Sequence, residues 1–249
     1  MGVSGRRAVV TGAAQGLGRA IAERLAQAGA AVAIVDRNLP AAQAAADEIS
    51  RRGATAMAVE ADVSDRASVR AMADAVGAAY GGVDILVNNA GIVRDGWLTR
   101  LSEADWDAVL DTNLKSAFLC ASAVVPFMAQ AGCGRIVNIS SRAWLGNPGQ
   151  VNYASAKGGL VSLTRTLALE LGRQGITVNC VAPGLIDTPL TQSLRPDVRE
   201  RLLRAQPTGS AGTPEDVAYG VAFFVDDAAG FITGQVLHVC GGKSVKADW

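Results

Sequence analysis

Short apolar runs alternate along the chain with longer segments of helical periodicity. Seven runs, rich in Val and Ile and apolar nearly throughout, predict strands that are covered on both faces. They occupy residues 8–11, 30–36, 54–59, 85–88, 135–140, 177–181 and 235–239. Between the runs, apolar residues recur every three or four positions, as in Leu17, Ile21 and Leu25, and predict amphipathic helices.

This alternation predicts a single α/β domain over residues 1–249. A strand–helix rhythm repeated to about seven strands indicates a parallel sheet with helices on both faces, the doubly wound Rossmann architecture. The ligand of such a sheet binds at the carboxyl ends of its strands. Residues 185–213 break the rhythm with several prolines and a basic helical patch, and they are a candidate substrate lid. An ordinary surface helix on a long loop explains this segment equally well.

Composition and charge exclude several classes of protein. The 23 Lys and Arg residues balance the 23 Asp and Glu residues, so no global field favours nucleic acid or an anionic membrane surface. No uninterrupted apolar stretch approaches the roughly 18 residues of a membrane helix. The four cysteines lie far apart without a CxxC motif, which argues against a metal site and predicts a reducing, cytoplasmic compartment. The single histidine, His238, lies in an apolar run, so a Ser-His-Asp hydrolase is disfavoured.

The first predicted strand leads directly into a glycine-rich turn, residues 11–18, and then into a helix. Glycine lets backbone amides approach a pyrophosphate there, and the helix N-terminus adds its positive dipole end. The second strand ends at Asp36, whose carboxylate can hydrogen-bond both ribose hydroxyls of an adenosine and would repel a 2′-phosphate. We therefore predict NAD rather than NADP as the cofactor, with Arg37 as the residue that could instead bind the phosphate.

Tyrosine and lysine are scarce, yet Tyr153 and Lys157 stand one helical turn apart, where such residues share a face. A phenol with an ordinary pKa of about 10 is a poor proton carrier near neutrality, and a neighbouring ammonium lowers that pKa. Tyr153 is therefore predicted to be the base in alcohol oxidation and the acid in carbonyl reduction. Ser140 ends the fifth predicted strand and would hold the substrate oxygen. Ser141 is the alternative, because alternation along a strand sends one of the two away.

These residues together resemble the short-chain dehydrogenase/reductase family along almost the whole chain. The matching motifs are TGxxxGxG at 11–18, an Asp-Val pair at 62–63, NNAG at 88–91, YxxxK at 153–157 and PG at 183–184. The family's catalytic tetrad falls on Asn113, Ser140, Tyr153 and Lys157. The resemblance implies that Lys157 contacts the nicotinamide ribose and lowers the pKa of Tyr153. It also implies that Asn113 lies where a helix is locally disrupted and supports Lys157 through a water, without any metal.

The resemblance and the glycine turn together predict the residues of two binding regions. The cofactor residues are Gly12, Gln15, Gly16, Leu17, Gly18, Asp36, Arg37, Asp62, Val63, Asn89, Ala90, Gly91, Tyr153, Lys157, Pro183, Gly184, Ile186 and Thr188. The substrate pocket is predicted from Val93, Trp97, Arg142, Trp144, Leu185 and Leu190. Such an aromatic and aliphatic lining suggests a hydrophobic, ring-containing substrate, and an arginine there could meet a carboxylate or a CoA phosphate.

Within the family, the sequence looks most like 3-oxoacyl-thioester reductases. Those enzymes generally use NADPH, which Asp36 disfavours. Two basic positions that serve carrier-protein docking in such enzymes hold Ala131 and Gln174 here, so docking to a carrier protein is disfavoured. The prediction is an NAD(H)-dependent oxidoreductase that interconverts a secondary alcohol, or a hydroxyacyl compound, and its ketone. The alternatives are an NADPH-dependent 3-oxoacyl-acyl-carrier-protein or acetoacetyl-CoA reductase and, more remotely, a non-catalytic nucleotide-binding regulator.

The resemblance also implies a quaternary structure, because the family is usually tetrameric. We expect a homotetramer in which helices near residues 112–130 and from Tyr153 onward pack across one two-fold axis. The C-terminal strand and tail, residues 235–249, would pack across another.

Overall fold

The computed structural model describes residues 2–192 and 195–245, except for the side chains of residues 189 and 190. Its strands are β1 (Arg7–Thr11), β2 (Ala31–Asp36), β3 (Ala56–Glu60), β4 (Ile85–Asn88), β5 (Gly134–Ile139), β6 (Ile176–Pro183) and β7 (Val236–Val239). They form one parallel sheet in the order β3-β2-β1-β4-β5-β6-β7. The predicted doubly wound Rossmann fold is confirmed, and each predicted strand overlaps an observed one.

Helices connect the strands and cover both faces of the sheet. They are α1 (Gly16–Gln27), α2 (Leu39–Arg51), α3 (Arg66–Tyr80), α4 (Glu103–Leu110), α5 (Ser116–Ala131), α6 (Val151–Leu171), α7 (Pro189–Gln192), α8 (Pro196–Arg204) and α9 (Pro214–Val225). A π-helical turn, Asp111–Lys115, joins α4 to α5, and a 3₁₀ turn, Arg142–Leu145, lies between β5 and α6. The predicted lid segment contains α7 and α8.

The core consists of two apolar layers separated by the sheet. Side chains alternate along each strand, so Val10 faces the layer of α1, α2 and α9, while Val9 faces the layer of α3, α5 and α6. Both residues are fully buried. This arrangement explains why the strands read as continuous apolar runs rather than as alternating ones.

One continuous helical stretch, Glu103–Ala131, is apolar enough by length and composition to cross a membrane, with a mean hydropathy of 1.4. It comprises α4, the π turn and α5. A single stretch of this kind is weak support for a membrane span, because a core helix has the same composition. Here α5 packs against α3 and against β4 and β5. The α5 part of the stretch is therefore a helix that packs on one face of the sheet.

The carboxyl ends of the central strands meet at one edge of the sheet. Asn88 of β4 pairs with Asn138 of β5, and Ile139 pairs with Val181 of β6. The strand order reverses between β1 and β4, and such a reversal opens a crevice at the carboxyl edge. The fold therefore places the candidate site there.

Candidate active site

A cleft of about 750 Å³ lies at this carboxyl edge. Every residue that the sequence analysis assigned to the dinucleotide lines it, from Gly12 on the first turn to Thr188 after β6. Ser140, Ser141 and Val93 line it as well. The volume lies within the range of small-molecule and cofactor sites.

The glycine turn leaves room for a ligand at the start of α1. Gly12 and Gly16 have φ values of +63° and +58°, a left-handed conformation that favours glycine. A Cβ on Gly18 would lie 2.2 Å from the Gly12 carbonyl oxygen, whereas a Cβ on Gly16 would meet no heavy atom within 4 Å. The side chain of Gln15, at the N-cap, makes no hydrogen bond to the amides of α1. The turn therefore fits a pyrophosphate, which those amides would bind.

The NNAG segment, residues 88–91, is hydrogen-bonded to the residues that begin this turn. The Asn89 side chain donates to the carbonyls of Thr11 at 2.9 Å and Gly12 at 3.1 Å. The Thr11 hydroxyl in turn accepts the backbone N–H groups of Asn89 at 3.0 Å and Ala90 at 3.1 Å. Asn89 and Ala90 therefore fix the shape of the cofactor turn as well as lining the cleft.

Asp36 stands at the end of β2 with its carboxylate held by the backbone. One oxygen accepts the N–H of Ala14 at 3.2 Å, and the other accepts the N–H of Asn38 at 3.1 Å. Arg37 follows and is exposed. Nearby, hydrogen bonds from Ser64 hold the pKa of Asp62 below its ordinary value, so this part of the cleft is acidic.

Lys157 is the buried cation of the site. It lies on α6 and is only 4% exposed, and its Nζ donates to the carbonyl of Ile139 at 2.8 Å. Nζ lies 5.6 Å from the centre of the Tyr153 ring. Burial lowers the pKa of Lys157 to about 8, because charge is disfavoured where water is excluded.

The pKa of the Tyr153 phenol is subject to opposing influences. Burial raises the pKa of Tyr153, the interaction with the Ser141 side chain lowers it, and the charge of Asp95 raises it again. The net direction is upward. Desolvation of the phenol therefore outweighs the favourable interaction with Ser141.

Ser140 and Ser141 have different partners, and the choice of Ser140 needs correction. The Ser140 hydroxyl donates to the Lys157 carbonyl at 2.7 Å and is buried. The Ser141 side chain is the one that interacts with the Tyr153 phenol. Successive residues at the end of β5 face opposite ways, so the Ser140 hydroxyl is directed at α6 and the Ser141 side chain at Tyr153.

Asn113 lies in the π-helical turn, where the resemblance implies a disrupted helix. Its side chain makes two hydrogen bonds to the backbone of Ile92: it accepts from the N–H at 2.8 Å and donates to the carbonyl at 2.9 Å. A Cβ on Gly91 would lie 3.3 Å from Asn113 Oδ1 and 3.6 Å from Lys157 Nζ. Asn113 and Lys157 thus both lie close to Gly91. The hydrogen bonds between Asn113 and Ile92 were not predicted from the sequence.

The predicted substrate residues divide into two groups. Val93 lines the cleft, whereas Trp97, Arg142, Trp144 and Leu185 are absent from its described lining. The Trp144 indole hydrogen-bonds to His238 on β7 instead, and Leu185 lines a second cavity of about 450 Å³ beside that strand. The structure therefore does not bring Trp97, Arg142, Trp144 and Leu185 together with Val93 in the described lining of this cleft. The Leu190 side chain lies outside the described residues.

Other cleft residues were not singled out from the sequence. Arg94, Ala108 and Thr112 line the cleft, as does Thr191 within the lid segment. Their only sequence signal is proximity to Asn113, Asn89 and Thr188 in the chain. Among residues 2–192 and 195–245, no group of three His, Cys, Asp or Glu side chains is arranged to hold a metal ion.

Comparisons with known proteins agree over nearly the whole chain. A family model described as enoyl-(acyl carrier protein) reductase matches residues 12–244. The chain is 51% identical over 247 residues to (2S)-[(R)-hydroxy(phenyl)methyl]succinyl-CoA dehydrogenase subunit BbsD of Thauera aromatica, covering 99% of this chain and 100% of that one. It is 44% identical over 243 residues to the 3-oxoacyl-acyl-carrier-protein reductase FabG of Escherichia coli, covering 97% and 98%.

A solved structure gives the same result in three dimensions. A crystal structure from Agrobacterium tumefaciens, provisionally assigned as a gluconate dehydrogenase, matches with a TM-score of 0.95 and 36% identity, covering 99% of this chain and 98% of that one. Sequence, fold and cleft therefore lead to one conclusion: the chain belongs to the short-chain dehydrogenase/reductase family and is an oxidoreductase.

Proposed function

We propose that this protein is an NAD(H)-dependent dehydrogenase that interconverts the secondary alcohol of a hydroxyacyl thioester and the corresponding ketone. The observation that carries the proposal is the cluster of Tyr153, Ser141 and the buried Lys157 at the inner end of a dinucleotide-sized cleft. A phenol beside a hydroxyl and an ammonium is suited to proton transfer at a substrate oxygen. The fit of the glycine turn to a pyrophosphate supports the cofactor class.

The residues of the chain would handle the proton of the reaction. When bound, the nicotinamide would supply the hydride acceptor for oxidation of the alcohol and the hydride donor for reduction of the ketone. Ser141 Oγ accepts the N–H of Ala143 at 3.1 Å, which leaves its hydroxyl proton free to donate to the substrate oxygen. Tyr153 takes the alcohol proton in oxidation and returns one to the forming alkoxide in reduction.

Lys157 would supply the electrostatic part of the mechanism. Its ammonium holds one described hydrogen bond, to Ile139, and can donate two more. A ribose hydroxyl that accepts one of them would stabilise the charged form of Lys157. The charged ammonium would then bring the pKa of Tyr153 down from its raised value in the free protein.

The preference for NAD rests on Asp36. Its carboxylate is anchored by the N–H groups of Ala14 and Asn38 at the end of β2, so it cannot easily turn away from an adenosine ribose. A 2′-phosphate would face this carboxylate at close range and be repelled. Arg37, which follows Asp36 and also lines the cleft, is the cation that could instead bind a 2′-phosphate.

The substrate class is drawn from the cleft mouth and from one relative. Val93, which is partly exposed, and Arg94 both line the cleft. Apolar surface with an arginine suits an acyl group attached to a phosphate-bearing carrier. BbsD is named for a CoA thioester with a phenyl group, which supports a ring-containing hydroxyacyl-CoA here.

A second candidate is an NADPH-dependent 3-oxoacyl-acyl-carrier-protein or acetoacetyl-CoA reductase. The similarity to FabG favours it. Asp36 disfavours NADPH, and Ala131 and Gln174 stand where carrier-protein docking would use basic residues. A non-catalytic nucleotide-binding regulator is the remote alternative, and the retained Tyr153 and Lys157 argue against it.

We further propose a cytoplasmic homotetramer. Large apolar side chains are exposed on α5, α6, α9 and β7, namely Phe118, Leu169, Phe223 and Leu237. The family resemblance implies subunit contacts through three of these elements, α5, α6 and β7, and α9 packs against β7. Exposed apolar patches on several elements commonly mark interaction sites. Residues 246–249 of the predicted tail contact lie outside the described chain.

Replacing Tyr153 with Phe should lower kcat by a factor of about 10³, because the acid/base group is lost while the ring is kept. Binding of NADH, followed by its fluorescence, should be unchanged. The probes are (2S)-[(R)-hydroxy(phenyl)methyl]succinyl-CoA with NAD and acetoacetyl-CoA with NADH. Tyr219→Phe, at an exposed tyrosine, is the control and should retain full activity. A fully active Tyr153→Phe variant would refute the mechanism.

The two serines give a matched pair of variants. Ser141→Ala should lower kcat about 10²-fold, as expected when one donor to a developing oxyanion is removed. Ser140→Ala should keep kcat and lower the free energy of unfolding by about 1 kcal/mol through the lost bond to Lys157. Steady-state kinetics and urea denaturation measure both. The reverse pattern, with Ser140 required for turnover and Ser141 dispensable, would restore Ser140 as the substrate-binding hydroxyl.

Cofactor choice is tested by replacing Asp36 with Ser. The variant should lose about tenfold or more in kcat/KM for NAD, since two hydrogen bonds to a charged group disappear. It should also gain activity with NADP, because the repulsion is gone and Arg37 remains. Adding Arg37→Ala should remove that gain. A wild-type enzyme that turns over NADPH faster than NADH would overturn the NAD assignment without affecting the Tyr153 mechanism.

A further inference from the structure

Trp144 and His238 form a pair that joins the segment after Ser141 to the edge strand of the sheet. The indole Nε1–H of Trp144 donates to His238 Nε2 at 3.2 Å, and the rings stack with centroids 6.0 Å apart at 24°. His238 is held on β7 by its register with Ala182 of β6. The histidine is therefore a fixed support and the tryptophan is the part that it anchors.

Ser141 holds the beginning of the turn that carries Trp144. The Ser141 carbonyl accepts the N–H of Trp144 at 3.0 Å, and its hydroxyl accepts the N–H of Ala143 at 3.1 Å. The following residues, 145–148, are exposed, and Gly146 has a φ of +106°. Within the described chain, no other side-chain hydrogen bond ties the turn Arg142–Leu145 to another element. Two hydrogen bonds within the turn therefore link the segment that carries the indole to Ser141.

The contact requires a neutral imidazole, because a protonated ring has no acceptor. Burial lowers the pKa of His238 below its ordinary value. The other titratable groups among the described residues of the adjoining cavity are Asp216, Tyr219 and Cys240. The carboxylate of Asp216 accepts the N–H and hydroxyl of Thr213 at 2.7 and 3.0 Å. The acceptor form of His238 is thus the form present at neutral pH.

We propose that His238 is a positioning residue for the reaction. By anchoring the Trp144 indole, it fixes the 3₁₀ turn and so aims the Ser141 hydroxyl at the substrate oxygen. The inference rests on the proposed function in one respect, the role of Ser141 as donor. It extends that function to a strand whose histidine does not line the cleft.

The first test follows His238 directly and needs no substrate. The chain has a single histidine, so its imidazole signal in tag-free, histidine-labelled protein is assigned without ambiguity. An NMR titration should give a pKa for His238 below 6.5 in the wild type. In Trp144→Phe, which keeps an aromatic ring and loses the donor, the pKa should rise toward its ordinary value. Identical titration curves in the two proteins would overturn the pairing.

The second test measures what the pair does for Ser141. His238→Leu should lower kcat about tenfold through misplacement of the hydroxyl, with NADH binding unchanged. His238→Gln keeps a side-chain acceptor and should recover most of the activity. In a Ser141→Ala background, His238→Leu should cause no further loss, because both changes act on one hydroxyl. This non-additivity separates positioning from a general loss of stability.

Three outcomes would contradict the proposal. A His238→Leu variant with a lower melting temperature and normal kcat would make the pair purely structural. A further tenfold loss in the Ser141→Ala background would mean that His238 acts elsewhere. If neither thioester is turned over, the proposed function fails on its own, and the amide signal of Ser141 decides the positioning claim. That signal should shift between wild type and His238→Leu, and an unchanged signal would overturn it.

Discussion

The ammonium of Lys157 is a cation kept inside the protein without a carboxylate partner, and the site is organised around this constraint. None of the ion pairs among residues 2–192 and 195–245 includes it. Instead, the Ile139 carbonyl accepts from its Nζ, and the Ser140 hydroxyl donates to its main-chain carbonyl. Nearby, burial raises the pKa of the Cys180 thiol to about 11, so that group stays neutral. A cation so poorly compensated is costly, and an oxygen-rich ligand that accepts from it relieves the cost.

The surrounding parts of the fold bring the other groups to this cation. The ends of β4, β5 and β6 converge there because the sheet is parallel, and the π turn brings Asn113 up to it across Gly91. Tyr153 lies one helical turn before it on α6. In our account, ligand binding, a charged Lys157 and a titratable Tyr153 are therefore coupled. The cofactor completes the environment that the proton transfer requires.

Much of the fold could be predicted because burial on both faces leaves a strong mark in the sequence. Val9 and Val10 are both apolar because they face different core layers, and the resulting apolar run predicts β1 from the sequence. The roles of individual site residues were harder to predict from the sequence. Ser140 and Ser141 are adjacent and face opposite ways, and the sequence does not tell which of the two is directed at Tyr153. Trp144 was assigned to the substrate pocket because it closely follows the predicted catalytic serine. Its hydrogen-bond partner His238 is 94 residues away, and no local sequence pattern reports such a contact.

The charge state of Lys157 tests the account most directly. In the ligand-free protein, an NMR titration of the lysine side chains, with Lys157→Met to assign the signal, should reveal one lysine with a pKa of about 8. Its pKa should rise when NADH is bound, because a ligand hydroxyl then stabilises the charged form. A Lys157 that titrates at the ordinary value of about 10.4 in the free protein, and does not respond to NADH, would contradict the account.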